Sequence, residues 1–570
     1  MKINGYELAI PEEKLDEIIE HKTRKIELVG KDFIGYQQLT EGNKKALDHL
    51  VAAAMYFTDI AEEQDHDLNL QMRYALEEKA KQNTQAAKTL KIFNMFQGLE
   101  GHNGVDVKPI ELFKGISGKK GRNFYPTDLS KEEFHQIIDN MLVLGKDDEV
   151  RRILSVRTFV RREGDLLKAI DYTEYFADKF SKIANELEVA AHYTTDEDFK
   201  DYLGWQAQAL LQNNEDMDML ADKHWAVLQN HNQLEFTIGR ESYDDELTPT
   251  IYENKELLGK LEERGIEVNA KDTLGARVGI INKEGTDLIL KFKEHMPELA
   301  KLMPFNDRYT QSVSSGGELK QTMVDADIVM LTGDYARCRG GITLAQNLPN
   351  NDKLAIKTGG GRRNVYHRQI RQSGDKERIK KLLDRLVAPE FHQYYDSEAD
   401  HLFVIGHENG HSLGPDNTYQ RALGNHKSTI EEHKADMVSI TFMPEYVKIG
   451  VISEEMLKKI YTTWVIKRLF LKAQPVEVHR VAELIHFNFL LEKGAFSFDK
   501  EHKVHIHFDK FHDAAYELLA ETITIQLSKS PEKAKQFIDR YTVWGKESQY
   551  IADVQKELGI KNYIELVPHY

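Results

Sequence analysis

The sequence predicts a mostly helical α+β protein with more than one core, and three observations carry that prediction. A chain of 570 residues is too long to be organised by one compact hydrophobic core. Long stretches repeat apolar residues at helical spacing, as at Leu47, Leu50, Val51, Ala54 and Phe57. Between Thr248 and Thr358 the pattern changes to short β-branched runs, among them Val278-Gly279-Ile280-Ile281 and Ala326-Asp327-Ile328-Val329-Met330-Leu331, separated by glycine turns.

Taken in order, the first helical region runs from Asn43 to Gly98, with few glycines and no proline. The stretch from Gly101 to Pro126 is rich in glycine and lysine and reads as a long loop; Ser130 and Glu133 then form a capping box that restarts helix. Arg151, Arg152, Arg157, Arg161 and Arg162 make Val150 to Val160 locally basic, which reads as a solvated or salt-bridged face rather than an anion site. Asn185 to Asn232 is again helical, with Trp205 and Trp225 as core residues. After the β-rich module, Thr358-Gly359-Gly360-Gly361-Arg362-Arg363 lacks the Lys-Ser/Thr of a phosphate loop and reads as a turn. From Glu377 the chain is mainly helical. Ala495 to Phe508 forms a hairpin with His505 and His507 on one solvated face, and helices follow over Asp513 to Leu527 and Pro531 to Tyr541.

Composition narrows the functional classes. The net charge of −17 argues against nucleic acid as a main partner, because binding phosphates requires a basic face. The single cysteine, Cys338, allows no intramolecular disulfide and reads as a simple thiol between two arginines. The start of the chain lacks an apolar leader, and no run of about 18 uncharged apolar residues occurs. A cytoplasmic protein with no membrane partner is therefore expected.

The chemistry is carried by Phe403-Val404-Ile405-Gly406-His407-Glu408-Asn409-Gly410-His411. On a helix, His407 and His411 share a face about 6 Å apart at Cβ, so both imidazoles can reach one tetrahedral Zn²⁺. Glu408 lies about 100° round from His407, placed to act as general base toward a zinc-bound water. A third protein ligand is available from Ser428 to Met437, where Glu432 is the candidate ligand. Asp436, one turn later, is placed to orient one histidine through its free ring N–H, and Glu431 the other. Asn409 and Gly410 together cost on the order of 1 kcal/mol or more relative to alanine. Metal coordination is a candidate for holding that turn, and glycine there would leave room for a substrate backbone.

Together these segments resemble the dipeptidyl peptidase III family of zinc peptidases. Glu431-Glu432-His433-Lys434-Ala435-Asp436 is similar to the family's second zinc motif, which makes Glu432 the third ligand. Asn347-Leu348-Pro349-Asn350 resembles the segment whose two asparagines hold the free amino end of a peptide. His479, eleven residues before Leu490-Leu491-Glu492-Lys493-Gly494, stands where the family keeps a histidine that assists the transition state. Glu267, ahead of Asp272, Gly275 and Arg277, resembles the glutamate that binds the substrate ammonium. The chain departs from the family in its five-residue His-Glu-x-x-His, in Asn269 where a tyrosine is frequent, in a short connection between the zinc segments, and in its short length.

The resemblance implies two lobes with a substrate cleft between them. Residues 1–375 would supply N-terminal helices and a β-rich substrate-binding lobe, and 376–570 a mainly helical zinc lobe, with the lobes discontinuous in sequence. It implies one Zn²⁺ per chain and a dipeptidyl peptidase acting on short peptides. A zinc aminopeptidase or oligopeptidase of other specificity, or a peptide-binding protein without turnover, would carry much of the same pattern.

Overall fold

The structure, a computed structural model, describes residues 1–101, 110–116, 121–212, 215–226, 232–242, 247–309, 321–337, 345–348, 362–559 and 563–570, together with 228, 245 and 561. Cys338, Asn350 and the glycine run at 359–361 lie outside the described residues. The fold is α+β and mostly helical, and it separates into two compact units. One comprises Met1–Lys283, Leu319–Ile370 and Lys561–Tyr570, and the other Glu284–Glu318 and Arg371–Ile560.

The first unit is built around a five-stranded sheet. Its strands are β1 (Leu234–Ser242), β2 (Asp272–Asn282), β3 (Gln321–Gly333), β4 (Ala345–Leu348) and β5 (Arg362–His367), in the spatial order β4-β5-β3-β2-β1. Only the β3–β5 pair is parallel. The first nine residues of β2 are buried, as expected of a central strand covered on both faces. The long helix Glu41–Asp65 supports this region: the Thr332 hydroxyl donates to the Ala54 carbonyl at 2.7 Å, and Gln64 bridges the backbone of Asp272 and Leu274 at 3.0 and 2.9 Å. Within the sheet's core, Trp225 donates to Glu235 at 2.9 Å, and Arg277 and Arg363 flank the same carboxylate at 3.3 and 3.2 Å. Trp225 is thus a core residue, while Trp205 is only half-buried at the edge of that core.

Helices dominate the rest of this unit. The region expected over Asn43 to Gly98 resolves into three of them, Glu41–Asp65, Asn69–Ala80 and Thr84–Phe96. The arginine-rich stretch is salt-bridged, with Arg152 to Glu149 at 3.1 Å and Arg162 to Glu133 at 2.8 Å. It also leads into a hairpin, Thr158–Glu163 with Leu166–Asp171, which the charge pattern concealed. At the chain's end Tyr563–Val567 pairs in parallel with Thr23–Glu27, returning the last residues to this unit.

Among its described residues the second unit's regular structure is helical apart from the hairpin Phe496–Phe498 and Val504–Ile506. Its principal helices are α1 (Ser397–Gly410), α2 (Lys427–Lys448), α3 (Glu454–Arg468), α4 (Val478–Glu492) and α5 (Phe508–Ser528). His505 lies between Glu390 and Asp499 at 3.3 and 3.1 Å, and His507 meets the Ser497 hydroxyl at 2.8 Å. Both hairpin histidines therefore have ordinary polar partners. Among the described residues, no helix is long and apolar enough to cross a membrane.

Candidate metal centre

Helix α1 starts where Asp396 accepts a hydrogen bond from the Glu398 N–H at 2.9 Å, and it buries Ala399, Leu402, Phe403 and Ile405. Its two glycines face α2. A Cβ on Gly406 would stand 2.3 Å from Ser439 Oγ, and one on Gly410 would stand 2.7 Å from the Ala435 carbonyl oxygen. Positions four apart on each helix thus meet in opposite order, so α1 and α2 cross antiparallel at close range. The Ser439 hydroxyl seals the contact by donating to the Phe403 carbonyl at 2.7 Å. Gly410 is therefore required by helix packing, which corrects the expectation that it clears space for a substrate backbone. It also ends α1 rather than interrupting it, and His411 follows as a helical C-cap with φ −60° and ψ −30°.

The antiparallel crossing sets the site's geometry by placing His407 opposite Asp436 and His411 opposite Glu431, with Glu432 between. The two Nε2 atoms are 3.2 Å apart, and Glu432 Oε2 lies 3.4 Å from that of His407 and 3.6 Å from that of His411. A tetrahedral zinc with bonds of 2.0–2.1 Å has ligand–ligand edges of about 3.3 Å, so the three atoms already outline one face of that polyhedron. Glu432 Oε2 is buried and, among the described residues, has no hydrogen-bond partner, a gap that a metal ion would fill. His407, His411 and Glu432 fit the zinc site on both grounds.

Each histidine is held from behind. His407 Nδ1 donates to Asp436 Oδ1 at 2.7 Å, while Arg468 donates to Asp436 Oδ2 at 3.2 Å. His411 Nδ1 donates to Glu431 Oε1 at 3.1 Å; Lys434 Nζ stands 2.8 Å from the same oxygen, and Gln526 donates to Oε2 at 3.3 Å. Lys434, completely buried, also donates to the carbonyls of Gly410 at 3.0 Å and Leu413 at 2.6 Å, neutralising the open end of α1. These contacts fix both ring orientations and leave both Nε2 atoms facing Glu432.

The charges follow the geometry. Burial would raise Asp436, but the bond from His407 and the Arg468 charge hold it below the ordinary carboxylate range. Burial likewise opposes ionisation of Glu431 and Glu432, yet Lys434 with His411 lowers the first and His407 lowers the second. His407 is pulled down by burial and pushed up harder by Asp436 and Glu432, ending well above its usual value.

No protein-family model matches the chain. In sequence it is 22% identical over 447 residues to Nudix hydrolase 3 of Arabidopsis thaliana, a match covering 74% of this chain and 54% of the plant protein. The chain thus spans about half the length of that relative. Among solved structures it superposes on DPP III from Caldithrix abyssi with a TM-score of 0.78, at 24% identity over 96% of this chain and 98% of that one. It also superposes on dipeptidyl-peptidase III from Corallococcus sp. strain EGB with a TM-score of 0.70, at 18% identity over 97% and 96%. The chain has the dipeptidyl peptidase III fold.

On this dipeptidyl peptidase III scaffold the remaining candidates fall in different places. Glu408 is part-exposed beside His407 and, among the described residues, makes no hydrogen bond through its carboxylate. His479 stands in the first turn of α4, exposed over 59% of its side chain, with Nδ1 3.5 Å from Glu432 Oε2. His486, two turns later, is wholly buried. Glu267 is exposed in the segment between the helix Lys255–Glu263 and β2. Asn347 lies on β4 with its Cα opposite that of Asn364, and Asn350 falls outside the described residues.

Three supporting residues escaped the sequence reading. Lys434 stood three positions after Glu431, a spacing at which a helical ion pair can form. Arg468 and Gln526 are brought in by α3 and α5 from more than thirty and ninety residues away, and local pattern gave them no signal.

Proposed function

We propose that this chain is a zinc-dependent exopeptidase that releases dipeptides from the free amino end of short peptides. The observation that carries the reading is the buried Glu432 Oε2, which among the described residues has no hydrogen-bond partner and faces two imidazole nitrogens at zinc-ligand spacing. The fold shared with two proteins named dipeptidyl-peptidase III supports the substrate class. Zn²⁺ bound by His407, His411 and Glu432 would supply Lewis acidity and lower the pKa of water. Glu408 would accept a proton from the attacking water and return it to the leaving amine. His479 would donate to the oxyanion developing on the scissile carbonyl. Glu267, Asn347 and Asn350 would pair with the substrate's ammonium end, so a blocked amine would leave them unsatisfied. A cytoplasmic setting belongs to the same proposal.

The test combines metal analysis, mutation and product identity. Wild type should hold one zinc and yield dipeptides from a free peptide but not from its acetylated form. Glu408→Gln should keep the zinc while losing turnover by at least a thousandfold. Zinc-free protein, single amino acids as products, or an active Glu408→Gln variant would each overturn its part of the proposal.

A further inference from the structure

Behind the metal ligands lies a run of buried polar side chains that the proposed chemistry does not use. Arg468 is 4% exposed, stacks 3.7 Å over the Trp464 ring, and donates from one terminal nitrogen both to Asp436 Oδ2 at 3.2 Å and to His486 Nδ1 at 3.3 Å. His486 Nε2 stands 2.8 Å from His433 Nδ1, and His433 Nε2 stands 2.9 Å from Thr522 Oγ1. The Thr522 hydroxyl donates to the Leu518 carbonyl at 2.7 Å, and His433, His486 and Thr522 are all completely buried.

Counting donors fixes the direction of every bond. A guanidinium has no acceptor, so His486 Nδ1 must present its lone pair to Arg468. His486 then carries its proton on Nε2 and donates to His433 Nδ1. His433 in turn carries its proton on Nε2 and donates to Thr522, whose own hydrogen goes to Leu518. Both imidazoles are neutral in this scheme, and reversing any one bond would set two donors or two lone pairs against each other. At the other end Asp436 has one oxygen on Arg468 and the other on His407 Nδ1–H.

We propose that Arg468, His486 and His433 form a positioning relay for His407, a one-way hydrogen-bond chain that pins Arg468, and through it the Asp436 carboxylate and the His407 tautomer. These are positioning residues, since none touches the metal-facing nitrogen. The inference rests on the zinc-peptidase reading above. Its reach comes from the cost of rearranging buried polar groups, which have no water to turn to.

The experiment compares wild type with His486→Leu and His486→Asn. It measures zinc affinity by chelator competition, the visible spectrum of the cobalt-substituted protein, and kcat and KM. Leucine removes both bonds, whereas the asparagine oxygen can still accept from Arg468. The expected result for His486→Leu is about tenfold weaker zinc binding, at the low end of what losing an outer partner of a ligating histidine brings. Its cobalt spectrum should shift, and kcat should fall with KM unchanged. His486→Asn should recover most of the affinity and the wild-type spectrum.

A folded His486→Leu with wild-type affinity and spectrum overturns the relay, as do leucine and asparagine variants that are equally impaired, since that result marks a packing role. Should His486→Leu fail to fold, Arg468→Lys keeps the charge but cannot bridge Asp436 and His486 together, and the same expected and overturning results apply to it. A wild-type chain that takes up no zinc overturns the metal reading itself, and the relay's purpose with it.

Discussion

The two candidate ligand histidines sit one turn apart and are held by opposite kinds of partner. His411 leans on Glu431, whose cation, Lys434, is tied to backbone carbonyls at the end of α1. His407 leans on Asp436, whose cation, Arg468, is tied onward to side chains, with the Trp464 carbonyl as its one backbone acceptor among the described residues. A support anchored in backbone moves only when the helix end moves, whereas a support anchored in side chains can be loosened alone. The difference teaches where each arm should fail: substitutions behind His411 should register chiefly as lost stability, and those behind His407 chiefly as lost metal geometry.

The largest effect should come from Lys434→Met. Methionine fills the space but leaves the Glu431 carboxylate without its cation and removes the lysine bond from the Leu413 and Gly410 carbonyls, of which Gly410 keeps the Leu413 N–H as a donor. Removing one partner from a buried ion pair costs about 3–5 kcal/mol, and that loss should appear in denaturant unfolding of the metal-free protein. Asp436→Asn should cost less in the same assay. An equal loss from both variants would break the comparison.

Next in size is a contrast in zinc affinity between two amide replacements. Asp436 has one donor on each oxygen, from His407 and from Arg468, and an asparagine has only one oxygen to offer. One of the two must then face an NH₂ group. Glu431 differs, because His411 and Lys434 share Oε1 while Gln526 alone takes Oε2. In Glu431→Gln the new oxygen can keep both, and a flipped Gln526 amide can accept from the new NH₂ through its otherwise unpartnered Oε1. Loss of an outer partner weakens metal binding by about 10- to 100-fold. Asp436→Asn should fall at the upper end and Glu431→Gln at or below the lower, as measured by chelator competition. The reverse order would show that the His411 arm governs the metal.

The same contrast explains what could be read from sequence. The facing histidine pair and both carboxylates behind it were legible because they fall at helical spacings within two short segments, His407 to His411 and Glu431 to Asp436. Gly410 was visible but misread and Gly406 drew no reading, since their role depends on Ala435 and Ser439 of a second helix approaching the first. Arg468, His486, His433 and Gln526 form one buried environment only after α2, α3, α4 and α5 have packed. The hairpin at Thr158–Glu163 was hidden because its strand carries paired arginines that mimic a solvated helical face.

The last expected effect is a pH slope, and it separates the arms by which of them sets it. In metal-free protein His407 holds its proton well above 6.5, because Asp436 and Glu432 outweigh burial. A raised folded-state value means that this proton stabilises the metal-free fold fully below pH 6.5, and that the contribution is lost as pH rises through the folded value. Zinc must displace the same proton, so apparent zinc affinity should rise about tenfold per pH unit while His407 remains protonated. Metal-free stability and zinc affinity should therefore run in opposite directions above pH 6.5, the first measured by denaturation and the second by chelator competition across pH 6 to 8. Asp436→Asn removes the charge that holds the proton, so both slopes should flatten, whereas Glu431→Gln should leave them nearly intact. If Glu431→Gln flattened them as much, the proton would belong to the pair of histidines jointly, and the two arms would not be independent.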